Sequence, residues 1–297
     1  MNAKYISCVF LIVLLCMTIF GCAASNLNMA KKQYELAQIA EYPLPYYKAA
    51  LEELDAVIAR DPNYYQAYAI KGLIYRNLED FERATENLEL AKQGSYGAIQ
   101  EWVPIVVNLT YGDIFHARAS NAARSGDWPR AQSYQETALE FFSNVINSSF
   151  ANFGMRTDAD QYGLTMQHLY VSAQSRWAAG KFQMATIAAK TEGKERRDEL
   201  LREGTRRLSS VVEAFPESTP LRYYLAEGYR KQALTIRKSD PVESERLSTL
   251  AKSQLRACAE LSLPNELRNP AAQLFNMLSK GTEPETEQKL LGTIASQ

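Results

Sequence analysis

Histidine is scarce in this chain, which has only two copies, His116 and His168. Neither has a second histidine or a cysteine at the spacing of metal ligands, and both lie in stretches typical of ordinary helices. The sequence also lacks a glycine-rich phosphate loop and the short motifs of serine hydrolases, zinc peptidases and dithiol oxidoreductases. We therefore predict that the protein is not an enzyme and needs no cofactor or metal.

An excess of charge of one sign is also missing, since 33 basic residues face 34 acidic ones and the net charge is −1. A nucleic-acid binder would need a basic field, so we expect no nucleic-acid partner. Three of the four cysteines, Cys8, Cys16 and Cys22, lie within the first 22 residues. Cys258 alone is left for the folded body, and its helical spacing from Leu255 predicts a small buried hydrophobic residue.

Long apolar runs are absent except near the N-terminus, where residues 5–20 are almost entirely apolar and carry no charge. As a helix, this run would extend about 24 Å, which is short of the ~30 Å hydrocarbon core of a bilayer. Lys4 precedes the run and Gly21-Cys22 ends it. This arrangement predicts a signal peptide over residues 1–21.

The segment Ile19-Phe20-Gly21-Cys22 resembles the lipobox of bacterial lipoproteins. The resemblance implies that Cys22 becomes the lipidated N-terminus, with a diacylglycerol on its thiol and an acyl chain such as palmitate on its amine. Two or three acyl chains anchor a protein stably to a membrane. Residues 22–30 would then form a lipidated tether, and Ala23 implies the periplasmic side of the outer membrane if the source is Gram-negative. An uncleaved anchor and an ordinary secreted protein are the alternatives.

A repeat of 34 residues relates residues 31–64 to residues 65–98. Tyr34 corresponds to Tyr68, and Ala50 to Ala84. The second unit places Gly72 and Ala84 on its two predicted helices, together with three aromatic residues: Tyr68, Tyr75 and Phe81. This pattern resembles the tetratricopeptide repeat, a pair of antiparallel helices. The resemblance implies that Gly72 and Ala84 let the two backbones approach closely.

A shorter signature recurs at residues 79–84, 126–131 and 180–185, where a predicted turn is followed by an aromatic and then a small residue. The spacing places a third repeat near residues 112–145 and a fourth near residues 166–199. It also predicts insertions within residues 99–111 and 148–165.

The segment 200–281 is a more divergent continuation of the array. A helix should end before Pro216, another should start at Asp240-Pro241, and the last should start at Asn269-Pro270 and stop at Gly281. Residues 282–297 read as a polar tail. The mixed charges of residues 190–207 predict a solvated helix with ion pairs between successive turns.

No strand pattern occurs, so we predict an all-α superhelical array of antiparallel helix hairpins over residues 31–281, with a concave face. Helical counting places ten residues in the inner groove, and arginine, tryptophan and tyrosine are enriched where proteins bind each other. The candidate contacts are Arg76, Asn77, His116, Arg124, Tyr170, Gln174, Trp177, Tyr223, Glu227 and Arg230. A rotation by one residue would instead place Trp177 between helices.

These features predict a membrane-anchored, non-enzymatic scaffold that binds a protein or peptide of the bacterial cell envelope. One alternative is an accessory subunit of an envelope assembly, secretion or solute-uptake machine. Another is a receptor that holds a small ligand inside the array, which would need a polar-lined interior cavity.

Overall fold

A computed structural model describes residues 25–97, 100–156, 165–260 and 265–280. The predicted signal peptide, Cys22, Gly281 and the polar tail lie outside the described residues. Every regular element in the described residues is a helix, and none of these helices has an apolar stretch long enough to cross a bilayer. The prediction of an all-α fold is confirmed.

The described helices follow one another with short connections. They are α1 (25–39), α2 (Leu44–Arg60), α3 (Tyr65–Asn77), α4 (Phe81–Ala91), α5 (Trp102–Arg124), α6 (Trp128–Ala151), α7 (Met166–Thr191), α8 (Lys194–Ala214), α9 (Thr219–Ile236), α10 (Pro241–Glu260) and α11 (Asn265–Lys280).

The chain divides into two compact units. The first comprises Met1–Val107 and Arg156–Leu164, and the second comprises Asn108–Met155 and Thr165–Gln297. In the first unit α2 packs on α3, and α3 packs on α4. In the second unit each helix from α6 to α11 packs on the next one along the chain.

The closest helix contact of the first unit confirms the predicted role of Gly72. A β-carbon at Gly72 would lie 2.7 Å from Leu88 Cδ2 and 3.5 Å from the carbonyl oxygen of Ala84. Ala84 is fully buried. Since the two backbones approach at these small residues, larger side chains at either position would force α3 and α4 apart.

Two of the three signature segments form the predicted turn and helix start. Glu79 and Gly126 have φ values of 60° and 79°, and each precedes an aspartate that caps the following helix. Asp80 Oδ1 accepts a hydrogen bond from the backbone N–H of Arg83 at 3.1 Å. The same cap closes the start of α6, where Asp127 plays this role. These side chains satisfy N–H groups that a helix start leaves without partners.

The prediction of a third turn at Gly180 is wrong. Helix α7 is continuous from Met166 to Thr191, and the hairpin turn comes later, at Gly193 with φ 106°. Lys181 follows Gly180 where the other signatures have a capping aspartate, and a lysine side chain cannot accept the capping hydrogen bond. Gly180 instead allows close packing on α6, because a β-carbon there would lie 2.7 Å from Gln135 Nε2.

The predicted insertions mostly lengthen helices. Residues 102–111 belong to α5, which has 23 residues, and residues 148–151 complete the 24-residue α6. Residues 157–164 of the second predicted insertion lie outside the described residues.

The helix boundaries of the last third are confirmed except for one. Helix α8 ends at Ala214, and α10 starts at Pro241 with Asp240 Oδ1 accepting from the N–H of Glu243 at 3.0 Å. Helix α11 starts at Asn265, so Pro270 lies inside it. The predicted start at Asn269-Pro270 is therefore wrong, because the fixed φ of proline also fits a helix at the loss of one backbone hydrogen bond.

The charged segment 190–207 is solvated on one face only. Arg196 pairs with Glu199 at 2.7 Å on the exposed face of α8. The opposite face buries Leu200, Leu201 and Gly204. The prediction of ion pairs is confirmed, but the segment also contributes to the core.

Candidate binding surface on helices α6, α7 and α8

Helices α7 and α8 meet along two antiparallel stripes of side chains. The contacts run in order from Lys181 with Glu203, through Trp177 and Gln174 with Arg207, to Tyr170 with Phe215. The α7 residues recur at intervals of four, three and four, which places them on one face of the helix. Three of the predicted groove residues thus line the contact between α7 and α8.

Trp177 lies in the core of this contact. Its ring centroid is 4.2 Å from the guanidinium carbon of Arg207 and 4.9 Å from Lys181 Nζ. Trp177 is only 6% exposed, and Gln174, which accepts a hydrogen bond from Arg207 Nε at 2.8 Å, is only 3% exposed. Burial lowers the pKa of Arg207 below its usual range. The structure therefore favours the core position of Trp177 over a groove contact, and the burial of Gln174 does the same.

One end of the contact opens into a group of four aromatic rings, which we call the aromatic cluster: Phe150, Phe153, Tyr170 and Phe215. Tyr170 contacts the other three, with ring centroids 5.7–5.8 Å apart. Phe150 is 65% exposed and Phe153 is 38% exposed. Phenylalanine seldom leaves so much of its ring in water when it packs in a core, so the cluster presents a continuous apolar surface.

Three helix ends hold the cluster in place. Phe150 is in the last turn of α6, and a backbone hydrogen bond of 3.2 Å from Phe153 N–H to the Phe150 carbonyl folds the chain back. Thr165 caps the start of α7 by accepting from the N–H of His168 at 3.1 Å, which fixes the turn before Tyr170. Phe215 is the C-terminal cap of α8. The rings are thus positioned by ordered backbone.

Sequence reasoning identified only one member of the cluster, Tyr170. Phe150 and Phe153 fall in the predicted insertion 148–165, and Phe215 falls at a predicted helix end. Their common signal is a bulky aromatic residue at a helix terminus, where a tetratricopeptide-like pattern does not need one.

Four other predicted groove residues are at least half-exposed or half-buried in each unit. Arg124 is exposed and hydrogen-bonds to Asn121. Asn77 is half-buried and donates to the hydroxyl of Tyr47 at 2.9 Å. Arg76 and Tyr223 are also half-buried. The structure describes these positions without bringing them together in one surface.

Glu227 and Arg230 satisfy each other within α9. Two hydrogen bonds of 2.9 Å join the Arg230 guanidinium to the Glu227 carboxylate, and Lys231 Nζ lies 3.4 Å from the same carboxylate. Burial of Glu227 opposes its ionisation, but Lys231 and Arg230 outweigh burial and lower its pKa to about 2. Arg230 is 4% exposed. Its burial is a correction to the predicted groove contact.

His116 belongs to a polar network between α5, α6 and α7. Its Nδ1 is hydrogen-bonded to Gln135 Oε1 at 2.9 Å, and nearby Arg176 Nε donates to Asp113 Oδ1 at 2.7 Å. Burial lowers the pKa of His116, and the charge of Arg176 acts in the same direction. Since the polar groups bond to each other across the helices, the network reads as packing between helices.

No three histidine, cysteine, aspartate or glutamate side chains in the described parts of the chain are grouped so as to hold a metal ion. No model of a known protein family matches the sequence, and no curated protein is significantly similar to it.

Proposed function

We propose that this protein is a lipid-anchored, non-enzymatic scaffold of the bacterial cell envelope, which holds a partner protein or peptide near the membrane. The Gly21-Cys22 motif after an apolar leader supports the anchor. The hairpin packing of the described helices and the tetratricopeptide-like pattern support the scaffold role. The aromatic cluster is the observation that carries the binding role.

The cluster has the properties of a protein-binding surface. Its rings are large and rigid, so they give much contact area for little loss of side-chain entropy on binding. Single exposed apolar residues are common on protein surfaces, but contiguous apolar patches mark interaction sites. We therefore expect a partner segment with apolar side chains to pack on Phe150 and Phe153.

The interior of the second unit supports this role better than a small-ligand receptor. Its polar side chains, from Asp113 and His116 to Gln135 and Arg176, bond to one another across the helix contacts. A ligand would have to break those bonds. The role of accessory subunit in a larger envelope machine uses the same surface, and the identity of the partner separates it from a free-standing scaffold.

Site-specific photo-cross-linking tests the proposal in the full chain. A photoreactive phenylalanine analogue replaces Phe150 in cells of the native host, and the matched control replaces Leu90, an apolar residue 39% exposed on α4. We expect a discrete adduct with an envelope protein from position 150 and none from position 90.

A second variant shows whether the adduct depends on the cluster. Phe153→Ser should remove the adduct formed at position 150, while Leu90→Ser should leave it, and both variants should keep near-normal melting temperatures. The absence of an adduct at position 150, or an adduct that Phe153→Ser does not weaken, would contradict the proposed binding role.

A further inference from the structure

The first unit exposes a second set of large apolar residues, all within about twenty residues of Cys22. Met29 is 47% exposed, Ile39 is 70% exposed, Tyr42 is 74% exposed and Leu44 is 49% exposed. We call these four residues the N-terminal apolar face. They account for half of the large hydrophobic residues that the described chain leaves exposed.

Helix α1 has one face turned to the body and the other turned away. Leu27, Ala30 and Ala37 are at most 3% exposed and lie on one side. Met29 and Ile39 lie on the opposite side, given a rotation of about 100° per residue in a helix. The apolar character of the outer side is therefore not explained by packing against the rest of the unit.

The corner between α1 and α2 continues this face. Pro43 is the N-terminal cap of α2, and its carbonyl oxygen accepts hydrogen bonds of 3.1 Å from the N–H groups of Tyr46 and Tyr47. Tyr47 turns inward and is buried, whereas Tyr42 and Leu44 remain exposed. Since proline restricts the backbone at the corner, these two side chains are held in an outward position.

We propose that the N-terminal apolar face lies on the lipid surface of the membrane that holds Cys22. This inference rests on the proposed lipid anchor. Only residues 23 and 24 separate Cys22 from the start of α1 at residue 25, and a fully extended chain of this length reaches about 10 Å. Helix α1 extends about 21 Å from there to the corner. The whole face therefore lies within reach of the headgroup layer when α1 lies along the membrane.

The chemistry of the face fits the boundary between lipid headgroups and acyl chains. A tyrosine such as Tyr42 is typical of this boundary, because its ring is apolar and its hydroxyl is polar. The charged residues around the face balance each other, since Lys32 and Lys48 are exposed together with Glu35 and Glu41. Contact should therefore depend on apolar burial, and neutral lipid should suffice for it.

An environment-sensitive fluorophore tests this contact in the purified, full lipidated chain. The fluorophore is attached at Tyr42→Cys, and the matched control carries it at Leu90→Cys in the same unit. Cys258 is fully buried and Cys22 carries the lipid, so the introduced thiol is the one that reacts. In phosphatidylcholine vesicles we expect a blue shift and quenching by lipid-attached nitroxide at position 42, and neither at position 90.

Ile39→Asp in the same labelled protein should abolish the blue shift while the protein still floats with the vesicles. Flotation without a blue shift at position 42 would overturn the membrane contact and leave the anchor intact, as expected if another protein covers this face. A blue shift that requires anionic lipid and disappears at high salt would also overturn the apolar contact. Failure to float would overturn the anchor, and this inference with it.

Discussion

The guanidinium group of Arg207 lies over the indole ring of Trp177, 4.2 Å from the ring centroid, and joins α8 to α7. The ammonium group of Lys181 lies 4.9 Å from the same centroid. A cation on an aromatic face contributes about 2 kcal/mol when both are shielded from water. Trp177 is thus a structural residue of the second unit, although its sequence position also suited a groove.

The first prediction concerns Trp177. Trp177→Ala should lower the free energy of unfolding by about 3–5 kcal/mol, because it leaves a cavity and removes the support for two cations. Trp177→Phe keeps an aromatic face and should lose clearly less. Urea denaturation of the two variants beside the wild type measures both effects. A normal unfolding midpoint for Trp177→Ala together with loss of a partner would restore the groove role.

The second prediction concerns the contact between α3 and α4. Ala84 is fully buried, and its carbonyl oxygen lies where a β-carbon on Gly72 would approach to 3.5 Å. Ala84→Leu should therefore lower the free energy of unfolding by about 1–3 kcal/mol through overpacking. Glu86→Leu, on the exposed side of the same helix, is the matched control and should change it by less than about 0.5 kcal/mol. Equal melting curves for Ala84→Leu and the wild type would refute the assigned contact.

The sequence predicts a hairpin turn correctly where two local signals coincide. Asp80 and Asp127 each follow a residue with positive φ and cap the next helix. Gly180 has the aromatic and small neighbours of the signature, but Lys181 cannot cap, and the helix continues. The repeat spacing alone therefore overestimated the signal at residues 180–185, whereas cap chemistry would have excluded the turn.

The candidate site was less predictable than the fold. Counting along α7 placed Tyr170, Gln174 and Trp177 on one face correctly, but the counting cannot say that α8 covers most of this face. The aromatic cluster joins Phe150 to Phe215 across three helix ends, and such a contact depends on helix lengths and crossing positions. Those quantities follow from tertiary packing, which no local pattern specifies.

The third prediction concerns lipidation. Cys22→Ser should abolish metabolic labelling with palmitate and leave a precursor that retains residues 1–21, because serine lacks the thiol that takes the diacylglycerol. Cys258→Ser is the matched control and should label normally, since Cys258 is buried and burial raises its thiol pKa to about 11. Mass spectrometry of the membrane fraction gives both results. Labelling that persists in Cys22→Ser would refute the anchor.

The fourth prediction concerns the pH dependence of stability through His116. Burial lowers the pKa of His116 below its ordinary value of 6.5, with a further lowering from Arg176, while the bond to Gln135 and the charge of Asp113 oppose the shift. The unfolded chain therefore binds a proton near pH 6.5 that the folded chain refuses until a lower pH. Since the unfolded state then holds more protons, the free energy of unfolding falls as the pH drops below about 6.5.

Urea denaturation at pH 7 and pH 5 tests this dependence, a window well above the pKa of about 2 for Glu227. His116→Asn replaces the imidazole with an amide that can still donate to Gln135 and does not titrate. The loss of stability between pH 7 and pH 5 should be smaller in this variant than in the wild type. His168→Asn changes the exposed histidine and should retain the wild-type difference. If His116→Asn also retained the full difference, another group would be responsible, and the buried state of His116 would not be what makes acid destabilise the fold.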